Sequence, residues 1–189
     1  IEGSQHIQLP EWGHARVDFN NDLDNMGMFW RVPSIQAFHS IVPGSIMEFY
    51  PSVGVTRNVG SRPDSSHYAL RGLLSVRWLF DYANEDETQY KDENSFFDQT
   101  DSDQQSLPMP GWELHSEQHG FYIYENLYHI PFGFTYDRYM TRTDYDQLDK
   151  SARELAMLKA IVLEDDDALK HQHNLQRFNN DNFFGMHFT

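Results

Sequence analysis

Short apolar patterns with two different periods alternate along this chain, and they restrict its fold more than any other feature. Apolar residues at every second position predict strands at 14–19, 75–81, 112–116, 120–125 and 134–140. End signals predict a short helix at 46–50, and apolar residues at helical spacing predict helices at 67–74 and 152–163. We therefore expect an α+β fold, in which a mixed, mostly antiparallel sheet of about four to six strands carries several short helices.

The first of these helices has clear end signals. Ser45 and Glu48 fit a capping box, in which each side chain bonds the other residue's amide, so the helix should begin at Ile46. Pro51 should end it near Tyr50, because proline lacks an amide hydrogen and its ring clashes with the preceding turn. Gly54 suits the turn that follows.

The later helices carry similar signals. Ser66 is the expected cap of the helix at 67–74, and Thr143 starts a helical segment. Ser151 and Glu154 fit a second capping box. The acidic residues 164–167 should end the helix at 152–163, because negative charge is unfavourable at a helix C-terminus.

The segments 112–116 and 120–125 predict a β-hairpin that turns at residues 117–119. Alternation along the two strands assigns one set of side chains to the core: Trp112, Leu114, Phe121 and Ile123. The same alternation places Tyr122 and Tyr124 on the other side of the hairpin.

Composition excludes several classes of function. The net charge of −15 argues against nucleic acid and anionic lipid as partners, because both need a basic protein surface. The absence of cysteine excludes disulfides, thiol nucleophiles and thiolate metal sites. No run of about 18 apolar residues occurs, so no transmembrane helix is expected.

The chain divides into three parts by composition. Residues 1–13 are a polar arm or an expression remnant, and residues 166–189 are a polar C-terminal tail. Residues 14–165 form a single α+β domain. Its segment 81–110 is acidic and rich in Gln, Ser and Asn, which predicts an acidic loop.

We expect neither a metal nor another cofactor. Asp22 and Asp24 lie in an Asn- and Asp-rich stretch, but the oxygen spacing of a calcium-binding EF-hand loop is missing. His171 and His173 are more typical of surface histidines than of a metal pair.

Three blocks of the sequence resemble the extracytoplasmic segment of the YfhO family of bacterial multi-span membrane proteins, and they occur in the family's order. They are PSIQAFHSIVPGSIMEFYPSVGVTR at 33–57, HYALRGLLSVRWLF at 67–80 and YIYENLYHIPFGFTYDRYM at 122–140. The resemblance covers roughly residues 14–165. It implies a membrane glycosyltransferase of Gram-positive bacteria that uses a polyprenyl-phosphate sugar and modifies lipoteichoic acid or cell-wall glycan. It also implies a position on the extracytoplasmic face, with the membrane-embedded remainder of the same protein as partner.

Within or beside these blocks, aromatic, amide and charged side chains suit glycan recognition, because rings stack on sugars and polar groups bond hydroxyls. The candidates are His39, Tyr50, Arg57, Arg71, Tyr124, Asn126 and Asp137. No catalytic residue is predicted, although Glu48, Glu125 and Asp137 are the carboxylates to inspect. A polyanionic polymer would need a local basic cluster, for which the candidates are Arg57, Arg62, Arg71 and Arg77.

Three functions therefore stay open. The first is a non-catalytic domain that positions a glycan or teichoic acid acceptor for the membrane part. The second is an independent secreted domain that binds or hydrolyses carbohydrate, which requires two facing carboxylates in a cleft. The third is a structural domain that braces the membrane part, which predicts an exposed apolar patch.

Overall fold

A computed structural model describes residues 6–10, 14–20, 25–38, 41–56, 60–61, 63–82 and 109–179 of the chain. The strands in these ranges are β1 (Arg16–Asn20), β2 (Ala37–Phe38), β3 (Gly60–Ser61), β4 (Val76–Tyr82), β5 (Trp112–Gln118), β6 (Phe121–Asn126), β7 (Arg138–Thr141), β8 (Ile161–Leu163) and β9 (Gln176–Arg177). The helices are α1 (Met26–Trp30), α2 (Gly44–Ser52), α3 (Tyr68–Leu73), α4 (Arg142–Asp146), α5 (Lys150–Met157) and α6 (Asp165–His171). The predicted α+β class is confirmed.

A four-stranded mixed sheet with the order β1-β4-β6-β5 forms the main layer. β1 is parallel to β4, whereas β4 with β6 and β6 with β5 are antiparallel. The predicted hairpin is present as β5 and β6, with Trp112 opposite Asn126 and Gln118 opposite Phe121. A shift of register between Leu114 and Ser116 makes β5 irregular at His115.

Both faces of the central strand β4 are buried. One face packs in an aromatic cluster, in which Trp30 meets Phe80 edge to face at a centroid distance of 5.3 Å. The other face buries Leu79 together with Trp112 and Tyr124.

Two side-chain assignments in the hairpin were wrong, one on the central strand β6 and one on the edge strand β5. Tyr124, predicted to lie away from the core, is buried between layers. Leu114, predicted to face the core, is 46% exposed on the edge strand β5 beside the irregular register.

The segment 134–140 was expected to extend the main sheet, and this expectation was wrong. Its strand begins at Arg138 as β7 and lies in a separate parallel sheet with the order β8-β7-β9. Parallel neighbours need a crossover, which α4 and α5 provide between β7 and β8. The buried residues beside this sheet include Met140, Tyr145 and Phe178.

The predicted helix at 152–163 combines two elements. Helix α5 ends at Met157, and Ile161–Leu163 form β8, because this apolar segment completes the parallel sheet beside β7. The acidic residues after it begin α6 instead of ending a helix, which places Asp165, Asp166 and Asp167 in a first turn where the helix dipole favours them. The part of the C-terminal segment up to residue 179 thus contains α6 and β9.

The central helix of the sequence is confirmed as α2, although its ends differ from the prediction. It begins at Gly44 after Pro43 and makes no side-chain cap bond, so the capping box of Ser45 and Glu48 is absent. The helix includes Pro51 in its last turn and ends two residues later than expected. Gly54 takes the turn with a positive φ of 91°, as predicted.

Two other cap predictions were wrong, because the Ser66 and Glu154 side chains bond elsewhere. The Ser66 hydroxyl and amide both bond Asp64, and α3 starts without a side-chain cap. The helical segment predicted at Thr143 is present as α4, and Thr141 caps it by accepting from the amide of Asp144 at 3.1 Å. The helix α5 follows Asp149, and no side-chain cap is formed there.

No helix in the described ranges combines the length and apolar character needed to cross a lipid bilayer.

Candidate functional site

The predicted glycan-binding residues do not meet at one surface of the described chain. Tyr50, Arg71, Tyr124 and Asn126 are each 7% exposed or less, and they lie on three elements, α2, α3 and β6. Asp137 is exposed just before β7, with its carboxylate 4.0 Å from the Arg138 guanidinium. His39 and Arg57 lie outside the described residues. Their role in glycan binding stays a prediction.

Arg71 is held by contacts within the domain. Its Nε donates to Asp18 Oδ2 at 2.9 Å, and both side chains are buried. Its two terminal nitrogens donate to the carbonyls of Asp64 and Pro63, each at 2.6 Å. The guanidinium therefore joins α3 to the loop before it and to β1. These contacts also satisfy most of its donors, which a buried charge requires.

The same loop holds Asp64 in its charged form. Burial opposes the charge, but hydrogen bonds from the Ser66 hydroxyl and amide, with the nearby charges of His67 and Arg71, lower the pKa of Asp64 below its ordinary value. This carboxylate therefore stabilises the loop whose carbonyls receive Arg71.

A second buried carboxylate, Glu154 on α5, faces the start of α3. Its Oε2 accepts from the Leu70 amide at 3.2 Å and lies 3.2 Å from His67 Nδ1. The second capping box is absent for this reason, since the Glu154 side chain reaches another helix. Together with the Arg71 contacts, this links β1, α3 and α5 through charged groups.

Asp18 and Glu154 are buried charged residues whose structural partners the sequence did not reveal. The signal was present, since each is a charged residue inside an apolar pattern: Asp18 between Val17 and Phe19, and Glu154 before Leu155. A buried charge needs a partner, but the sequence does not say which residue provides it.

Tyr124 and Asn126 lie on β6 and serve the interior of the domain. Burial, with smaller contributions from Asp81 and Tyr122, raises the pKa of Tyr124 to about 12, so its phenol stays neutral. Asn126 Nδ2 donates to the Val76 carbonyl at 3.0 Å, and its Oδ1 accepts from the Tyr128 amide at 2.9 Å. Asn126 therefore joins β4 to the loop after β6.

A partly exposed polar cluster lies nearby on β4, β5 and β6. Arg77 Nε and Nη2 each lie 2.9 Å from Glu125 Oε1. The other carboxylate oxygen is 3.9 Å from His115 Nδ1, and the His115 ring packs on the Trp78 indole at a centroid distance of 5.0 Å. Glu113 is the cross-strand neighbour of Glu125. We call Arg77, His115 and Glu125 the polar cluster; its side chains are 15 to 32% exposed and could bond a sugar hydroxyl.

The three carboxylates chosen for inspection lie on different parts of the fold, on α2, on β6 and just before β7. Glu48 is exposed on α2, Glu125 belongs to the polar cluster, and the Asp137 side chain is 82% exposed. Of the proposed basic cluster, Arg71 and Arg77 each pair with a carboxylate, and Arg57 and Arg62 lie outside the described residues.

The loop between β6 and β7, which follows Tyr124 and Asn126 in the chain, exposes several large apolar side chains. We call residues 127–136 the aromatic loop. Its exposed apolar side chains are Leu127 at 53%, Tyr128 at 67%, Phe132 at 46% and Phe134 at 40%. The sequence predicted a connecting loop up to Gly133 and a strand from Phe134, and it gave no role to the exposed apolar side chains of this segment.

Most of the acidic residues that were weighed as metal ligands, and not chosen, lie outside the described residues. They are Asp22, Asp24 and most of the acidic loop. Within the described ranges, no three His, Asp or Glu side chains are grouped so that they could hold a metal ion.

Comparison with known proteins finds one family model that matches nearly all of the chain. The family model described as "Bacterial membrane protein YfhO" matches residues 3–185. The chain is 28% identical over 151 residues to the uncharacterized protein YfhO of Bacillus subtilis (strain 168). This alignment covers 79% of the chain but only 16% of that relative. No solved structure matches the chain.

Proposed function

The chain belongs to the YfhO family of bacterial membrane proteins, and on this premise we propose that it is the extracytoplasmic, non-catalytic domain of a membrane glycosyltransferase. The enzyme uses a polyprenyl-phosphate sugar and glycosylates lipoteichoic acid or another cell-wall glycan. The domain braces the membrane-embedded part of the same protein, which carries out the chemistry.

The observation that carries the non-catalytic role is the internal use of the polar groups in the family-like blocks. Arg71 is fully engaged with Asp18 and loop carbonyls, and Asn126 bonds a β4 carbonyl. Glu125, the carboxylate nearest to a histidine among those inspected, is already paired with Arg77. These contacts stabilise the domain, and none of them leaves a general acid and base facing each other.

Substitution of the inspected carboxylates tests this role in membranes that contain the whole protein. Glu48→Gln, Glu125→Gln and Asp137→Asn each remove a charge and keep the side-chain shape. We expect sugar transfer from the polyprenyl-phosphate donor to stay within about twofold of the parent, because none of these carboxylates acts as a general acid or base in this account. A loss of about 100-fold at one position, in a protein that folds normally, would make that residue catalytic.

Acceptor positioning is the second candidate, and the polar cluster favours it. Arg77, His115 and Glu125 carry hydrogen-bonding groups on side chains that are partly exposed to solvent. Calorimetric titration of the chain with lipoteichoic acid fragments and wall glycans, with and without calcium, tests this candidate. Saturable binding that His115→Ala abolishes supports it, whereas a cooperatively folded chain that gives no heat favours bracing alone.

The same mixtures of chain and glycan also test the remaining possibility, an independent secreted domain that hydrolyses carbohydrate. Release of reducing sugar over time by the isolated chain would support hydrolysis. Binding without release, or no binding, is what the bracing and positioning roles predict.

A further inference from the structure

The aromatic loop is uncharged as well as exposed. Residues 127–136 contain no Asp, Glu, Lys or Arg, in a chain of which 23% is charged. Four large apolar side chains nevertheless remain 40 to 67% exposed there. Groups of exposed apolar side chains mark interaction sites on many proteins, so this loop is a candidate contact surface for a partner.

The loop is held in place rather than loosely attached. The Leu127 amide donates to the Gly111 carbonyl at 2.8 Å, and the Ile130 amide donates to the Gly72 carbonyl at 3.1 Å. At its far end, the Tyr136 hydroxyl donates to the Met157 carbonyl at 2.6 Å. The apolar side chains therefore stand on a preorganised backbone, which lowers the entropic cost of binding a partner.

Gly111 is part of this arrangement. It has a φ of 77°, and a β-carbon at this position would overlap the Tyr128 ring. The Tyr128 ring thus packs against bare backbone while most of its surface faces solvent. The Arg16 guanidinium lies over the Phe132 ring, 4.9 Å from its centroid. It places a charged group at the edge of the apolar side chains, as in the polar rim of a protein interface.

The net charge of the chain and the greater length of its relative favour one partner for the aromatic loop. An anionic bilayer surface is disfavoured, because the chain has a net charge of −15. The relative in Bacillus subtilis is much longer, since the aligned chain covers 16% of it, so further polypeptide of such a protein is available as a tethered partner. Tethering gives effective concentrations of about millimolar, at which a modest apolar surface suffices for binding.

We infer that the aromatic loop docks this domain on an apolar surface of the membrane-embedded part of the same polypeptide. The inference rests on the proposed bracing function and names the surface through which bracing occurs. It requires no reaction and no additional ligand.

Photo-crosslinking in the membrane-bound protein tests this contact. A benzophenone analogue of phenylalanine replaces Tyr128 in one variant and Phe132 in another, and both changes keep an aromatic ring. Leu169 on α6 is the matched control position, because it is 65% exposed and lies on another element. We expect positions 128 and 132 to give intramolecular crosslinks to peptides of the membrane-embedded part, at yields several-fold above position 169.

The other outcomes overturn the inference. Crosslinks to lipid alone would identify the bilayer as the occupant, and crosslinks to a separate protein or to a second copy would identify a different partner. Equal yields at positions 128, 132 and 169 would show that the loop has no special contact.

A transfer assay keeps this failure distinct from failure of the proposed function. If sugar transfer depends on the domain but the loop does not crosslink to the membrane part, the docking surface is wrong and bracing stands. If transfer is unchanged when the whole domain is deleted, the bracing function itself is wrong.

Discussion

Arg71 and Asp18 form a buried ion pair, so the stability of the domain should be sensitive to a change of either residue. Arg71→Met keeps much of the side-chain volume but leaves the Asp18 carboxylate buried without its partner. We expect a loss of about 3–5 kcal/mol in the free energy of unfolding, because an uncompensated buried charge is costly. Denaturant unfolding of the isolated chain measures it.

The exposed pair of Arg142 and Glu164 provides the control. Its side chains are 42% and 63% exposed, so Arg142→Met should cost less than about 1 kcal/mol. Equal costs for Arg71→Met and Arg142→Met would contradict the assignment of Arg71 as the buried anchor of α3.

Asp81 on β4 gives the domain a defined pH dependence. Burial raises the pKa of this carboxyl, and the hydrogen bond from Asn20 Nδ2 at 2.9 Å only partly offsets the effect. A raised pKa in the folded state means that the contribution of Asp81 to stability is fully present below its ordinary pKa of 3.8 and is lost as the pH rises through the raised value.

Asp81→Asn removes the charge and keeps an oxygen that can accept from Asn20. We expect the variant to be more stable than the parent at about pH 7 and equally stable at about pH 3, where both side chains are neutral. Melting temperatures measured across this range provide the test. A difference that does not change with pH would show that the ionisation of Asp81 does not affect stability.

At the scale of elements, the turn before β5 and the aromatic loop depend on each other. Gly111→Ala forces a side chain into a left-handed backbone, at a cost of about 1–2 kcal/mol, and also into the Tyr128 ring. Gly133 has a similar φ of 81° with open space around it, so Gly133→Ala reports the backbone cost alone.

We therefore expect Gly111→Ala to destabilise the chain more than Gly133→Ala in chemical denaturation. The excess should largely disappear when Tyr128→Ala is also present, because the ring is then removed. An equal cost for the two glycine variants would mean that Tyr128 does not pack against Gly111.

The sequence predicted the kinds of elements better than their partners. The hairpin of β5 and β6 follows from alternation and a short turn, both of which are local. The assignment of β7 to a second sheet depends on its pairing with β8, and 161–163 look equally suitable for a helix until that pairing is known. Capping failed for a similar reason at Glu154, since its carboxylate is drawn to the Leu70 amide on a helix that is distant in sequence.

The candidate residues were limited in the same way. Their chemical types suit glycan recognition, but exposure decides whether a ligand can reach them. Tyr124 was assigned to an outer face because alternation assumes one solvated side, and β6 has layers on both sides at this point. The exposed Tyr128 was missed because local patterns do not distinguish a covered loop from a displayed one.

At the scale of the whole molecule, the family and the surface of the domain lead to the same account. The match over residues 3–185 establishes membership in a membrane protein family, whereas the described helices include no membrane span. The aromatic loop is the surface through which we propose that this domain contacts the membrane-embedded part. The central claim of this account is that the domain lies on the extracytoplasmic side of the membrane.

Labelling in intact bacteria tests that claim most directly, because the chain contains no cysteine of its own. Leu169→Cys introduces an exposed thiol on α6, and Ala168→Cys introduces its buried neighbour as a control. The whole protein without either change gives the background with a membrane-impermeant maleimide. The account predicts that Leu169→Cys is labelled before lysis and Ala168→Cys is not. Labelling of Leu169→Cys only after lysis would place the domain in the cytoplasm and contradict the account.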